Sequence, residues 1–170
     1  MATNARVGMR QIGRSILLLL LLLPILASAD NRAPDFTLPT QNGTEIRLSD
    51  LKGQVVYLDF WASWCGPCRQ SFPWMNQLHK QNDPDQFKII AINLDSDEAR
   101  ARKFLSNLPA EFTVAFDPKG VTAEAYHLPG MPTSYLIDRQ GRVVSRHVGF
   151  LVSDTVKIEE NIQQLLQGEK

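Results

Sequence analysis

Phe60-Trp61-Ala62-Ser63-Trp64-Cys65-Gly66-Pro67-Cys68-Arg69 contains both cysteines of the 170-residue chain. Before it, Val55-Val56-Tyr57-Leu58-Asp59-Phe60 is an almost unbroken β-prone run, the pattern of a central strand covered on both faces. After it, the chain reads as a helix to about Lys80. Pro73 lies inside that helix and predicts a kink, since it lacks an N–H and crowds the preceding turn. The cysteines therefore sit where a buried strand passes into a helix. Backbone N–H groups and the helix dipole there stabilise a thiolate and lower its pKa. Cys65 is read as the exposed attacking sulfur and Cys68, one turn further in, as the shielded resolving one. Gly66 and Pro67 add little bulk and no charge over the sulfurs.

Two other uses of the pair compete with dithiol chemistry, the favoured reading. Structural zinc needs two further Cys or His ligands, and the chain offers only His79, His127 and His147 without a paired spacing. A structural disulfide across two intervening residues removes little unfolded-state entropy and makes a weak staple. The three histidines carry no catalytic signal of their own. Asp59 is a second clue to redox chemistry. Burial without a partner raises a carboxyl pKa, so Asp59 could take and return a proton as Cys68 becomes a thiolate. The alternative is an edge-strand acid facing water. Trp61 and Trp64 are read as packing around the site and forming substrate surface, or else as ordinary core. No metal and no organic cofactor is expected, because electrons travel through the sulfurs.

The N-terminus points to export. Arg6, Arg10 and Arg14 precede an apolar run at residues 16–26, and Ala27-Ser28-Ala29 supplies small residues for cleavage. Residues 1–29 are read as a signal peptide cut after Ala29, since the apolar run at residues 16–26 is short for a bilayer core that needs about 20 residues. An uncleaved anchor is the alternative, and without a cysteine at the cut a lipoprotein is disfavoured. Cleavage removes three of 18 basic side chains and none of 18 acidic ones, leaving a net charge near −3. That balance gives no footprint for nucleic acid and no pull toward anionic lipid.

Further along, Phe36-Thr37-Leu38 and Glu45-Ile46-Arg47-Leu48 flank Gln41-Asn42-Gly43 as a small hairpin. Residues 87–94 form a second buried strand, and Ser96 is a candidate N-cap for a helix through Phe104 and Leu105. Residues 112–116, 133–137 and 142–148 read as strands, the last two as a hairpin. A short helix ends near Tyr126. Residues 155–166 form an amphipathic helix with Val156, Ile158, Ile162, Leu165 and Leu166 on its apolar side. Strands alternating with helices argue for one α/β domain at residues 34–168, a central mixed sheet flanked by helices.

The segment around Cys65-Gly66-Pro67-Cys68 closely resembles the thioredoxin superfamily. Ala33-Pro34-Asp35-Phe36-Thr37-Leu38, Leu48-Ser49-Asp50-Leu51-Lys52-Gly53 and Gly130-Met131-Pro132-Thr133-Ser134-Tyr135-Leu136-Ile137-Asp138 are similar to its exported TlpA/ResA/CcmG-like branch. The resemblance implies a thioredoxin-like fold with an N-terminal hairpin and a central insertion at residues 94–116. It also implies a cis-proline at Pro132 opposite the active site, with Met131 offering backbone groups to a substrate strand. Phe150 would reach the active-site surface. Two positions depart from the branch. Ser71 stands where many members carry an acid, and Asp59 resembles the buried acid of thioredoxins proper.

The resulting expectation is a periplasmic thiol-disulfide oxidoreductase of a Gram-negative bacterium, a monomer that reduces protein disulfides. Its substrates would be oxidised proteins, apocytochrome c among them, and a membrane thiol donor would keep it reduced. The alternatives are a net disulfide oxidase or isomerase, and a binding or chaperone module using the groove near Met131 and Pro132 without turnover. A peroxiredoxin is disfavoured because the usual Pro/Thr neighbourhood of a peroxidatic cysteine is missing.

Overall fold

The computed structural model describes Met1 and residues 31–168, so the expected leader, Met1 aside, lies outside the described residues. The elements run β1 (Thr37–Pro39), β2 (Glu45–Arg47), β3 (Val55–Trp61), α1 (Gly66–Gln81), β4 (Phe87–Asn93), α2 (Glu98–Asn107), β5 (Thr113–Phe116), α3 (Val121–Ala125), β6 (Thr133–Ile137), β7 (Val143–Val148) and α4 (Thr155–Gln167). Five strands form a mixed sheet in the order β5-β4-β3-β6-β7. β3 and β4, and β4 and β5, are parallel, while β6 runs antiparallel to both β3 and β7. β1 and β2 make the separate N-terminal hairpin. The thioredoxin-like arrangement implied by the sequence is therefore present.

β3 is central and every one of its side chains is buried. Its alternation sorts those side chains onto two cores. Val55, Tyr57 and Trp61 join Cys65, Cys68, Phe72 and Met75 on one face. Val56, Leu58 and Phe60 pack with Tyr126 and Tyr135 on the other. Asp59 takes the first face by parity, beneath the helix that carries the cysteines. The segment expected to be an insertion becomes α2 and the edge strand β5, and Phe104 of α2 returns to pack on Trp61 with centroids 4.8 Å apart.

Two local expectations need correction, and the expected turn at Gln41-Asn42-Gly43 is present. The α2 N-cap is Asp97 rather than Ser96, its carboxylate accepting the Ala99 N–H at 3.0 Å. Ser96 lies one residue too early, and a carboxylate also favours the positive end of the helix dipole. Val156 is 65% exposed, because it falls off the stripe that Ile158 and Ile162 make at helical spacing. The hairpin turn closes through three residues, with Thr40 N–H donating to Thr44 and Gly43 N–H to Thr40. Gly43 takes φ 78° there, the left-handed conformation such a turn demands. Among the described residues no helix is long and apolar enough to cross a membrane.

Candidate active site

Cys65 is the N-cap of α1, in extended conformation, and its Sγ accepts the Cys68 N–H at 3.3 Å. That bond brings one of the unpaired N–H groups of the first helical turn onto the sulfur that needs negative charge stabilised. The two sulfurs are joined in a disulfide. Pro67 sits in the first turn of α1, where its missing N–H costs nothing. Gly66 and Pro67 are both exposed. Cys65 keeps 5% of its surface and Cys68 none. The expected order of access holds, but in the oxidised pair Cys65 shows water only a narrow edge.

The loop ahead of Cys65 is pinned from β4. Asp95, just past that strand, accepts the N–H and the hydroxyl of Ser63, each at 2.9 Å, and the Asn93 side-chain amide at 2.8 Å. Trp61 is fully buried against Phe72 and Phe104, so it belongs to the core. Trp64 is 67% exposed and stands beside the disulfide as free aromatic surface. The Arg69 guanidinium lies 4.8 Å over the Phe104 ring.

A second loop bears on the site. The Met131–Pro132 bond is cis. Pro132 is buried and its carbonyl accepts the Gly149 N–H at 2.8 Å, while Thr133 Oγ1 donates to the Gly130 carbonyl. Met131 is half-buried and packs on the cluster that holds both cysteines. Phe150, expected at the active-site surface, instead turns inward and is buried against Trp74, with centroids 5.7 Å apart. Ser71, standing where the related branch has an acid, is buried and donates to the Cys68 carbonyl.

Asp59 is 2% exposed, which rules out the solvent-facing edge reading. Its Oδ2 has no hydrogen-bond partner. Burial pushes its pKa well above the ordinary carboxylate value of 3.8. Tyr57, two residues back on the same face, is likewise pushed up by burial, with Asp59 adding to the effect. Nothing local in the sequence marks Asp95, whose importance rests on contacts with a loop 32 residues upstream, and nothing there gives the histidines a role. His79 closes α1, His127 adopts φ 49°, and His147 Nε2 stands 3.1 Å from Asp154 Oδ2.

Comparison with known proteins places this geometry. Residues 29–146 match the AhpC/TSA family. The thiol-disulfide oxidoreductase ResA of Bacillus cereus is 37% identical over 69% of this chain and 68% of its own length. The thioredoxin-like protein YneN of Bacillus subtilis is 39% identical over 69% and 70%. Among solved structures, one assigned to the thiol:disulfide interchange protein DsbE of Chlorobium tepidum is 56% identical, with a TM-score of 0.77 over 79% of this chain and 95% of that one. The exposed lipoprotein thioredoxin Etrx1 of Streptococcus pneumoniae is 33% identical, with a TM-score of 0.69 over 78% and 100%.

Proposed function

The chain belongs to the AhpC/TSA family and to the ResA/DsbE-like thiol-disulfide oxidoreductases of the thioredoxin superfamily, and from that membership we propose that it reduces disulfides in exported proteins. The observation that carries the reading is a disulfide at the N-cap of α1, bordered by an exposed Trp64 and lying on the same face as a starved, buried acid.

The Cys65 thiolate attacks a sulfur of the substrate disulfide and forms a mixed disulfide, releasing the first substrate thiol. Trp64, Gly66 and Pro67 border the docking surface, and Met131, held by its cis bond to Pro132, offers backbone to an extended substrate strand. Asp59 accepts the proton of Cys68. The Cys68 thiolate then attacks Cys65 Sγ, the substrate leaves as its second thiol, and the pair ends oxidised. A membrane thiol donor returns the two electrons. Residues 34–168 are the working domain, placed in the periplasm by a leader at residues 1–29. Apocytochrome c is one oxidised exported protein that this reading admits as substrate; the names of the ResA and DsbE relatives say only thiol-disulfide exchange.

The equilibrium reduction potential of the Cys65–Cys68 pair, measured in dithiothreitol and glutathione buffers, tests the direction. A value near about −250 mV or lower agrees with a reductant. A value near about −120 mV belongs to an oxidase and overturns the proposal.

A further inference from the structure

A row of polar side chains crosses the sheet from its centre to its edge. Asp59 of β3 lies directly opposite Ser134 of β6, and Ser134 lies directly opposite His147 of β7. Opposed residues in antiparallel strands share a face, with Cβ atoms about 4.5–5.5 Å apart. Past the edge, His147 Nε2 stands 3.1 Å from Asp154 Oδ2, a charge contact without hydrogen-bond geometry, and the Nε2 atom itself is buried. Asp59 at the inner end is 2% exposed, whereas the His147 and Asp154 side chains are 35% and 30% exposed. A cavity of about 230 Å³ runs beside the row, lined by Tyr57, Ser134, His147, Asp154, Lys157 and Asn161. Ser134 also lies against the Tyr57 phenol.

A base this deep must lose its proton before it can act again. The surface over Cys65 is the place where substrate docks, so that exit is covered whenever a mixed disulfide exists. The row opens instead at the β7 edge, beneath α4. A hydroxyl donates and accepts at once, and the cavity that Ser134 and His147 line has room for bridging water. An imidazole has one nitrogen that donates and one that accepts. We infer that Asp59 exchanges its proton with solvent through Ser134 and His147, by way of the cavity beneath α4, and not past the disulfide.

The inference rests on Asp59 being the base for Cys68. Cys68 gives its proton to Asp59, and its sulfur forms the bond to Cys65 as the substrate sulfur departs with its electron pair. Asp59 then passes a proton to Ser134 as Ser134 hands its own to His147, which releases one to water, leaving the relay unchanged. The titratable and charged groups around this route are Tyr57 from β3, Cys68 from α1, Arg146 and His147 from β7, Asp154, and Lys157 from α4.

The test is a light-triggered pH jump on the oxidised full chain, following the Asp59 carboxyl stretch by infrared absorption, with Asp59→Asn to identify the band. Ser134→Ala and His147→Gln should each slow the relaxation about tenfold or more, without moving its equilibrium midpoint. Ser134→Thr, which keeps a hydroxyl, should retain the fast exchange, and added imidazole should restore the His147 variant. Wild-type relaxation rates in both Ser134→Ala and His147→Gln overturn the conduit. Turnover of Asp59→Asn at the wild-type rate overturns the reading of Asp59 as base, and the relaxation rates tell that failure from the first.

Discussion

Asp59 and Asp95 lie on or beside neighbouring strands and are almost equally buried, at 2% and 3% exposure, yet their surroundings are opposite. Asp95 accepts three hydrogen bonds, two of them from Ser63 in the loop that delivers Cys65. Asp59 leaves an oxygen with none. Asp117 repeats the Asp95 pattern by gathering the N–H groups of Val121, Thr122 and Ala123 at the start of α3. Asp138 does so at the β6–β7 turn, accepting from Gln140 and Arg142. Saturated acids of this kind hold backbone in place. Burial alone does not mark a functional acid; burial without partners does, because a carboxyl denied hydrogen bonds can hold a proton at a pH where its neighbours in water cannot.

Several substitutions can break or sharpen that contrast. The largest effect belongs to the attacking sulfur itself. Cys65→Ser should cost at least about a thousandfold in disulfide reduction, read by insulin turbidity, and Cys68→Ser should instead accumulate the mixed disulfide. Next, Asp59→Asn should slow resolution of that mixed disulfide about a hundredfold, followed by rapid mixing with a quenched peptide disulfide. Asp95→Ala should act on the fold. It strands the part-buried Ser63 N–H and the buried Asn93 amide at the end of β4, and should cost about 3 kcal/mol in urea unfolding.

The two acids should also differ in the sign of their effect on stability. Burial lifts the Asp59 pKa above its unfolded value of 3.8, so the folded chain keeps a proton that the unfolded chain gives up. That contribution is neutral at lower pH and turns progressively unfavourable as pH rises from about the unfolded value toward the folded one. Asp59→Asn should therefore match wild type in stability near pH 3 and exceed it at pH 8, by about 1–3 kcal/mol, as chemical unfolding at the two pH values would show. The smallest effect is expected at Trp64, which holds nothing together. Trp64→Ala should leave the unfolding midpoint unchanged and raise KM a few-fold, about 1 kcal/mol of substrate contact.

Much of this site could be read from the chain itself. The β-prone run of β3, the cysteine pair at the start of α1 and the acid inside the strand are local patterns, and each kept its place in the fold. The choice between Ser96 and Asp97 as cap was beyond a local reading, since both residue types cap helices and only the start of α2 decides. Phe150 turned inward because Trp74, far away on α1, offered it an aromatic face. The line from Asp59 through Ser134 to His147 is legible only in the register of three strands. No sequence period connects residues that distant, so the histidine looked idle until the sheet was assembled. The difference between Asp59 and Asp95 is likewise a matter of partners supplied by other segments.

The account turns on Asp59 being the acid that still holds a proton when ordinary carboxyls have lost theirs. A carbon-13 NMR titration of its side-chain carboxyl in the oxidised protein measures this directly. The account predicts a midpoint well above the ordinary value of 3.8, displaced by burial. A midpoint at or below 3.8 would contradict it, for Asp59 would then be a stably ionised structural carboxylate like any other.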